Sequence, residues 1–209
     1  MQLIGMLDSP YVRRVAISLQ LLGLPFDHRS LSVFRTFDQF RAINPVVKAP
    51  TLVCDDGTVL MDSTLILEYA EALAAPRSLM PRSLPERQAA LRTIGLALAA
   101  CEKSVQLVYE RLRPAEKQHE PWTTRVIGQM HAAYGELEAE LAQEPPHKRG
   151  EIGAAAIATA VSWDFTTRTV ADTLEEGAYP RLRALSARAE QLAEFMAAPY
   201  GDGTVRVRR

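Results

Sequence analysis

The spacing of apolar positions changes character near Ala75. Before it, short apolar runs alternate with helical spacings; after it, only helical spacings recur. Residues 2–7 (QLIGML) form a nearly continuous apolar run of the kind that makes a buried strand. From residue 10 to Gly23, Val12, Val15, Ala16, Leu19 and Leu22 fall at helical spacing. Ser9 ahead of Pro10 matches an N-cap followed by the proline-favoured first position, and Gly23 before Leu24-Pro25 is a stop signal. Residues 26–31 read as a second strand and 36–43 as a short helix. Residues 51–54 and 59–61 flank Asp55-Asp56-Gly57-Thr58, an Asp-Gly turn that makes a hairpin. Ser63 caps a last helix through Ala74, with Leu65, Ile66, Tyr69, Ala70 and Leu73 on one face. The expected order over residues 1–75 is βαβαββα, a small α/β domain.

Residues 76–85 hold Pro76, Pro81 and Pro85, a rigid and polar composition suited to a linker. Beyond it Leu91, Ile94, Leu98, Cys101, Val105, Val108 and Leu112 repeat at alternating steps of 3 and 4, as do Ile127, Met130, Tyr134, Leu137 and Leu141. Two long helices with such stripes predict a helical bundle, with Pro114 and Pro121 interrupting the pattern. Residues 154–170 are apolar around most of the helical circumference, as a central buried helix requires. Leu182, Leu185, Leu192, Phe195 and Met196 support shorter helices near the end. Residues 86–209 are therefore expected to form an all-α domain.

The 209 residues are 47% hydrophobic and 23% charged, which excludes disordered and fibrous classes. A chain of this length buries enough surface to fold without disulfide or metal staples. Its formal charge is −1, with 6 basic and 8 acidic residues before Pro76 and 18 and 17 after it. Neither part has the basic footprint of nucleic-acid binding, and the tail Arg206-Val207-Arg208-Arg209 reads as solvated. Cys54 and Cys101 have no CxxC spacing, and His28, His119, His131 and His147 form no ligand pairing with them, so no metal is expected. The two thiols read as inert core residues. The first ten residues lack a leader's basic and apolar regions. Residues 152–161, the longest weakly charged apolar stretch, fall well short of a membrane span. A cytoplasmic location without membrane contact is the expectation.

Three segments carry candidate chemistry. The first is Ser9-Pro10-Tyr11-Val12, where a strand runs into a helix N-terminus whose unpaired N–H groups favour an anion such as a thiolate. A dithiol redox protein would place cysteines at the positions held by Ser9 and Val12. Without those sulfurs, what remains is a hydroxyl aimed at an anion site. The second is Asn44-Pro45-Val46-Val47-Lys48-Ala49-Pro50-Thr51-Leu52. A proline at a strand start is a candidate cis bond that exposes the backbone of Ala49 to an extended peptide ligand. The third is Met61-Asp62-Ser63-Thr64, a helix head at which Ser63 would receive a carboxylate and Asp62 an ammonium.

The order Ser-Pro-Tyr-x-x-Arg-Val, Asn-Pro-x-x-Lys-x-Pro-x-Leu, then Asp-Ser before an amphipathic helix, resembles the cytosolic glutathione S-transferase family. The resemblance extends through Leu79-Met80-Pro81 and Glu86-Arg87 into the helical domain. It implies a thioredoxin-like domain at 1–75, a linker at 76–85 and a helical domain at 86–209 that shapes the electrophile pocket and part of a homodimer interface. It further implies that Ser9 donates to the glutathione sulfur, as in serine-type members. Ala49 would pair with the cysteinyl unit beside cis Pro50. Asp62 and Ser63 would hold the γ-glutamyl end, with Lys48 near the glycyl carboxylate. Glutathione is then a co-substrate attacking a small hydrophobic electrophile in a detoxification reaction.

Two positions depart from the family pattern. The Ser/Thr-x-x-Asp box that usually starts the central helix is Gly153 and Ala156 here, and the usual glutamate before the serine is the shorter Asp62. The electrophile pocket is expected where the helical stripes meet the Ser9 end of the sheet, lined by Tyr11, Tyr109, Arg113 and Trp163. The same residues would serve a glutathione-dependent isomerase, peroxidase or dehalogenase. A dimeric, non-catalytic binding protein is the reading from another class.

Overall fold

A computed structural model describes residues 1–143, 152–175 and 177–206. His147 and residues 207–209 of the basic tail lie outside them. The chain divides into two compact units, Met1–Leu79 together with the chain from Glu190 onward, and Met80–Ala189.

The first unit is built on a four-stranded mixed sheet of β1 (Gln2–Ile4), β2 (Asp27–Arg29), β3 (Thr51–Val53) and β4 (Val59–Met61), in the order β2-β1-β3-β4. Strand β1 runs parallel to β2, with Leu3 opposite His28, and antiparallel to β3, with Leu3 opposite Leu52. Helix α1 (Pro10–Leu21) makes the crossover that a parallel β1–β2 pair requires. The Asp-Gly hairpin joins β3 to β4: Gly57 takes φ 86° and the Thr58 N–H donates to Asp56 Oδ1 at 2.9 Å. Helices α2 (Phe37–Ile43) and α3 (Ser63–Leu73) complete the expected βαβαββα order. Leu3, Ile4, Val12, Val15, Leu19, Phe40, Leu52 and Ile66 have no exposed surface and form the core.

The first strand is shorter than its apolar run. Residues 2–7 predict one strand, but Gly5 at φ 136° ends it, and the chain turns so that the Ser9 N–H donates to Met6 O at 3.1 Å. Met6 and Leu7 stay buried without being strand. The linker is also displaced. Helix α4 (Leu84–Arg111) is capped by Ser83, whose hydroxyl meets Glu86 Oε2 at 2.7 Å. Pro85 thus belongs to the first turn of α4, where its missing N–H leaves no helical bond unmade.

The domain boundary at 86–209 needs a correction at its far end. From Glu190 the chain joins the first unit, through α8 (Ala193–Ala197) and the strip that follows. The buried Arg13 of α1 explains why. Its guanidinium takes both Glu190 carboxylate oxygens at 2.7 and 2.6 Å, donates from Nε to Ala198 O at 2.8 Å, and lies over the Phe195 ring. A planar fork so placed ties three points of the returning chain to one helix.

The second unit is helical, with α4 (Leu84–Arg111), α5 (Glu120–Gln143), α6 (Ala154–Thr169) and α7 (Pro180–Ala189). Its core joins Ile94, Ala97, Leu107, Val126, Met130, Tyr134, Leu137, Trp163 and Leu182. Helix α6 is buried from Ile157 to Thr166, as its all-round apolar sequence predicts. Gly153 caps it without a side-chain hydrogen bond. Farther along, Thr166 Oγ1 lies 2.6 Å from both Ser104 Oγ of α4 and Tyr134 Oη of α5, joining three helices inside the core. No helix among the described residues is long and apolar enough to cross a membrane.

Candidate functional site

The three sequence segments lie in the first unit; a direct contact joins the second to the third, and Gly5 and Arg14 relate the first to both. Ser9 caps α1 with extended backbone, and its Oγ accepts from the Val12 N–H at a long 3.5 Å. A hydroxyl used as an acceptor keeps its own hydrogen for donation. Among the described residues of the helix's first turn there is no acidic side chain, so the positive end of the helix is not neutralised from within. Asp8, just ahead of Ser9, is half-buried. Burial pushes its carboxyl above the ordinary range, against the pull of the Ser9 N–H and Arg35, and nearby Asp202 adds to the rise.

Gly5 brings the second segment to this helix. A Cβ there would stand 2.6 Å from Val12 Cγ2 and 3.3 Å from Ala49 Cβ, so glycine alone permits the approach of the α1 start to the Ala49 loop. The Ala49–Pro50 peptide is cis, at the position the sequence marks, just before β3. The loop is fixed from inside. Buried Asn44 donates to Thr51 Oγ1 at 2.8 Å and accepts from the Val46 N–H, while Thr51 Oγ1 donates to Lys48 O at 2.7 Å. Val47 is held at φ 54°, a conformation a β-branched residue rarely takes.

The third segment is strained in the same way. Asp62 has φ 73° and caps α3 by accepting from the Thr64 N–H at 2.9 Å. Strain at a non-glycine residue persists where the surroundings over-determine it. Lys48 Nζ stands 3.5 Å from Asp62 Oδ2, linking the Ala49 loop to α3. Burial raises the Asp62 carboxyl, but the Thr64 N–H and Lys48 outweigh it and hold the group below the usual carboxylate range. Ser63 is buried, and Arg14 of α1 donates from Nη1 to its Oγ at 3.1 Å and to Thr64 Oγ1 at 3.4 Å.

Sequence reasoning gave no role to Arg13, Arg14 or Gly5. Arg14 is the arginine of the Ser-Pro-Tyr-x-x-Arg-Val pattern, and a charged residue inside an apolar helical stripe was the available signal. Of the four residues expected around an electrophile, Tyr11 is half-buried in the first turn of α1, while Tyr109 and Arg113 are exposed on and just after α4. Trp163 differs from the expectation. It is an interior residue of the helical unit, 5% exposed, edge-on to Tyr134 at 5.1 Å and to Tyr179 at 5.5 Å. Cys54 and Cys101 are both buried. Among the described residues, no group of three or more His, Cys, Asp or Glu is placed to hold a metal ion.

A mixed β2-β1-β3-β4 sheet with a cis proline ahead of β3, followed by a helical unit, defines a thioredoxin-like domain joined to an all-α domain. Residues 3–78 match the family model described as glutathione S-transferase, N-terminal domain. The uncharacterized GST-like protein YibF of Escherichia coli is 28% identical over 68% of this chain and 70% of its own length. The maleylacetoacetate isomerase of Pseudomonas aeruginosa is 30% identical over 59% of this chain and 63% of its own. A glutathione transferase family member from Pseudomonas fluorescens Pf-5, solved with bound glutathione, is 28% identical, covers 94% of this chain and 97% of that one, and superposes with a TM-score of 0.79. Residues 3–78 thus match the N-terminal domain of glutathione S-transferases, and the chain as a whole is similar to members of that family.

Proposed function

We propose that this protein is a glutathione transferase in which Ser9 stabilises the thiolate of bound glutathione for attack on a hydrophobic electrophile. The observation that carries this reading is the contact chain that unites the three segments. Gly5 lets Val12 approach Ala49, Lys48 pairs with Asp62, and Arg14 spans from the Ser9-capped helix to Ser63. The similar Pseudomonas fluorescens protein was solved with glutathione bound, which supports the ligand.

In this reading Ala49 pairs its backbone with the cysteinyl unit beside Pro50, and Lys48 faces the glycyl carboxylate. Asp62 accepts the γ-glutamyl ammonium, and Ser63 with the α3 N-terminus receives its carboxylate. The thiol of free glutathione ionises near the ordinary cysteine value of about 8.5. Lowering it by about two units requires roughly 2.7 kcal/mol of preferential stabilisation of the thiolate. One hydroxyl donor and a helix N-terminus without an acidic first turn supply terms of that size. The thiol proton leaves to solvent, the sulfur lone pair forms a bond to the electrophilic carbon, and the leaving group departs with its electron pair. Proximity within the bound pair contributes much of the remaining acceleration. Tyr11, Tyr109 and Arg113 are the proposed contacts to the electrophile.

A cytoplasmic homodimer acting in detoxification completes the proposal. Val59 on β4 and Leu65, Tyr69 and Leu73 along one face of α3 are exposed, a stripe suited to a second copy. Isomerisation on the same thiolate is the second reading, favoured by the 30% identity to the Pseudomonas aeruginosa isomerase. Calorimetric titration with glutathione, followed by conjugation of an activated aryl halide, tests the first reading. Micromolar binding with Ser9-dependent product supports it. Binding without product from any electrophile class would favour the non-catalytic reading.

A further inference from the structure

We propose that His28 is a pH-sensitive latch that fastens the C-terminal strip onto the sheet when neutral and releases it when protonated. Its geometry fixes the tautomer. The backbone N–H of Val205 donates to Nδ1 at 3.0 Å, and Nε2 lies 2.7 Å from the carbonyl oxygen of Gly5. A backbone N–H only donates and a carbonyl only accepts, so Nδ1 is bare and Nε2 carries the hydrogen. An imidazolium has no acceptor nitrogen. Protonating Nδ1 therefore turns the contact to Val205 into two donors facing each other.

The strip held by this contact has other contacts around it. Ser30 Oγ donates to Asp202 O at 2.6 Å, the Arg206 N–H donates to Ala197 O at 2.7 Å, and Arg35 pairs with Asp202 at 3.7 Å between exposed side chains. The exposed ion pair adds little, because water screens both charges and two long side chains must be ordered to make it. Val205 itself is buried and closes one wall of a cavity of about 300 Å³ also lined by Leu24, Pro25, Phe26 and Glu194. Losing the latch exposes that apolar wall. The other end of the ring bonds Gly5, the residue whose backbone lets α1 approach Ala49, so the latch touches the base of the Ser9 loop.

The charged groups on the surrounding elements are Asp27 and Arg29 on β2 itself, Asp8 after β1, Glu194 on α8, and Asp202 and Arg206 on the strip. Burial is the leading influence on the ring and lowers its affinity for a proton, while the Gly5 carbonyl opposes it. The sign follows. The unfolded chain takes up the proton first, so the latch's contribution is intact above the ordinary histidine value of about 6.5 and is lost as pH falls through the lower native value.

The test uses hydrogen exchange of the Val205 amide with the imidazole proton shifts followed in the same samples, from about pH 7.5 to about pH 5. His28→Gln supplies the control, since its side chain offers one acceptor and one donor at any pH. Wild-type protection, corrected for intrinsic exchange, is expected to fall at least about tenfold as the ring titrates, and His28→Gln to hold it. Unchanged protection through the ring's titration, a ring still neutral at the acid end, or the same loss in His28→Gln would overturn the latch. Glutathione is absent from these samples, so the result is independent of what the first unit binds.

Discussion

Arg14 donates from Nη1 to Ser63 Oγ at 3.1 Å, so the helix that Ser9 caps also fixes the hydroxyl at the head of α3. Both ends of this contact are buried. The thiolate end and the γ-glutamyl end of the proposed ligand are therefore set by one helix, and a change at either is felt through a rigid element.

Ser63→Ala removes one of the Arg14 partners and the proposed hydroxyl for the ligand carboxylate. The expected result is a loss of about 1 kcal/mol of stability and roughly tenfold weaker glutathione binding, with turnover at saturating glutathione nearly retained. Calorimetry and steady-state kinetics separate the two effects. A fall in turnover alone would mean that the γ-glutamyl site lies elsewhere.

Asp62→Asn keeps an N-cap acceptor for Thr64 and removes the charge. Stability near neutrality should change by less than about 1 kcal/mol, because Asn and Asp cap comparably, while glutathione affinity falls about tenfold or more through the lost ammonium partner. The acid limb differs as well. The native carboxyl ionises below its ordinary value, so its contribution is present above about pH 3.9 and is lost as pH falls through the lowered native value. Thermal melts across that range should show this loss in the wild type and not in Asp62→Asn.

Glu190→Ala would leave the Arg13 guanidinium buried beside α8 without its carboxylate. The expected destabilisation is about 3 kcal/mol by urea unfolding. Replacing both partners by apolar residues, as in Arg13→Met with Glu190→Leu, should recover most of it. Equal losses in the single and double variants would contradict the assignment of this pair as the anchor of the returning chain.

Gly5→Ala places a Cβ against Val12 at a backbone angle that side chains avoid. A loss of about 1–3 kcal/mol in stability is expected, together with weaker glutathione binding as the α1 start moves from Ala49. Full affinity in a destabilised variant would show that this approach is structural only.

The elements that the sequence makes legible are those set by local chemistry. The Ser9-Pro10 start of α1, the Asp-Gly hairpin and the buried face of α6 depend on caps, turns and periodicity within a few residues. What it hides depends on distant partners. Residues 192–196 carry a helical pattern, but nothing local says that α8 packs on α1; that follows from Arg13 meeting Glu190, 177 positions away. The early end of β1 follows from the φ of Gly5, which an apolar run does not reveal. Trp163 shows the converse: an aromatic on an all-round apolar helix serves the core of its own unit. The positive φ of Asp62 left no trace in the residue types around it, although the tetrapeptide itself marks the helix head.

The most direct measurement is an ultraviolet titration of glutathione thiolate bound to the wild type and to Ser9→Ala. The bound thiol is expected to ionise below the free thiol in the wild type and to return toward the free value in Ser9→Ala, with most conjugation lost and the melting temperature nearly unchanged. Equal ionisation and equal turnover in the two proteins would contradict the role given to Ser9.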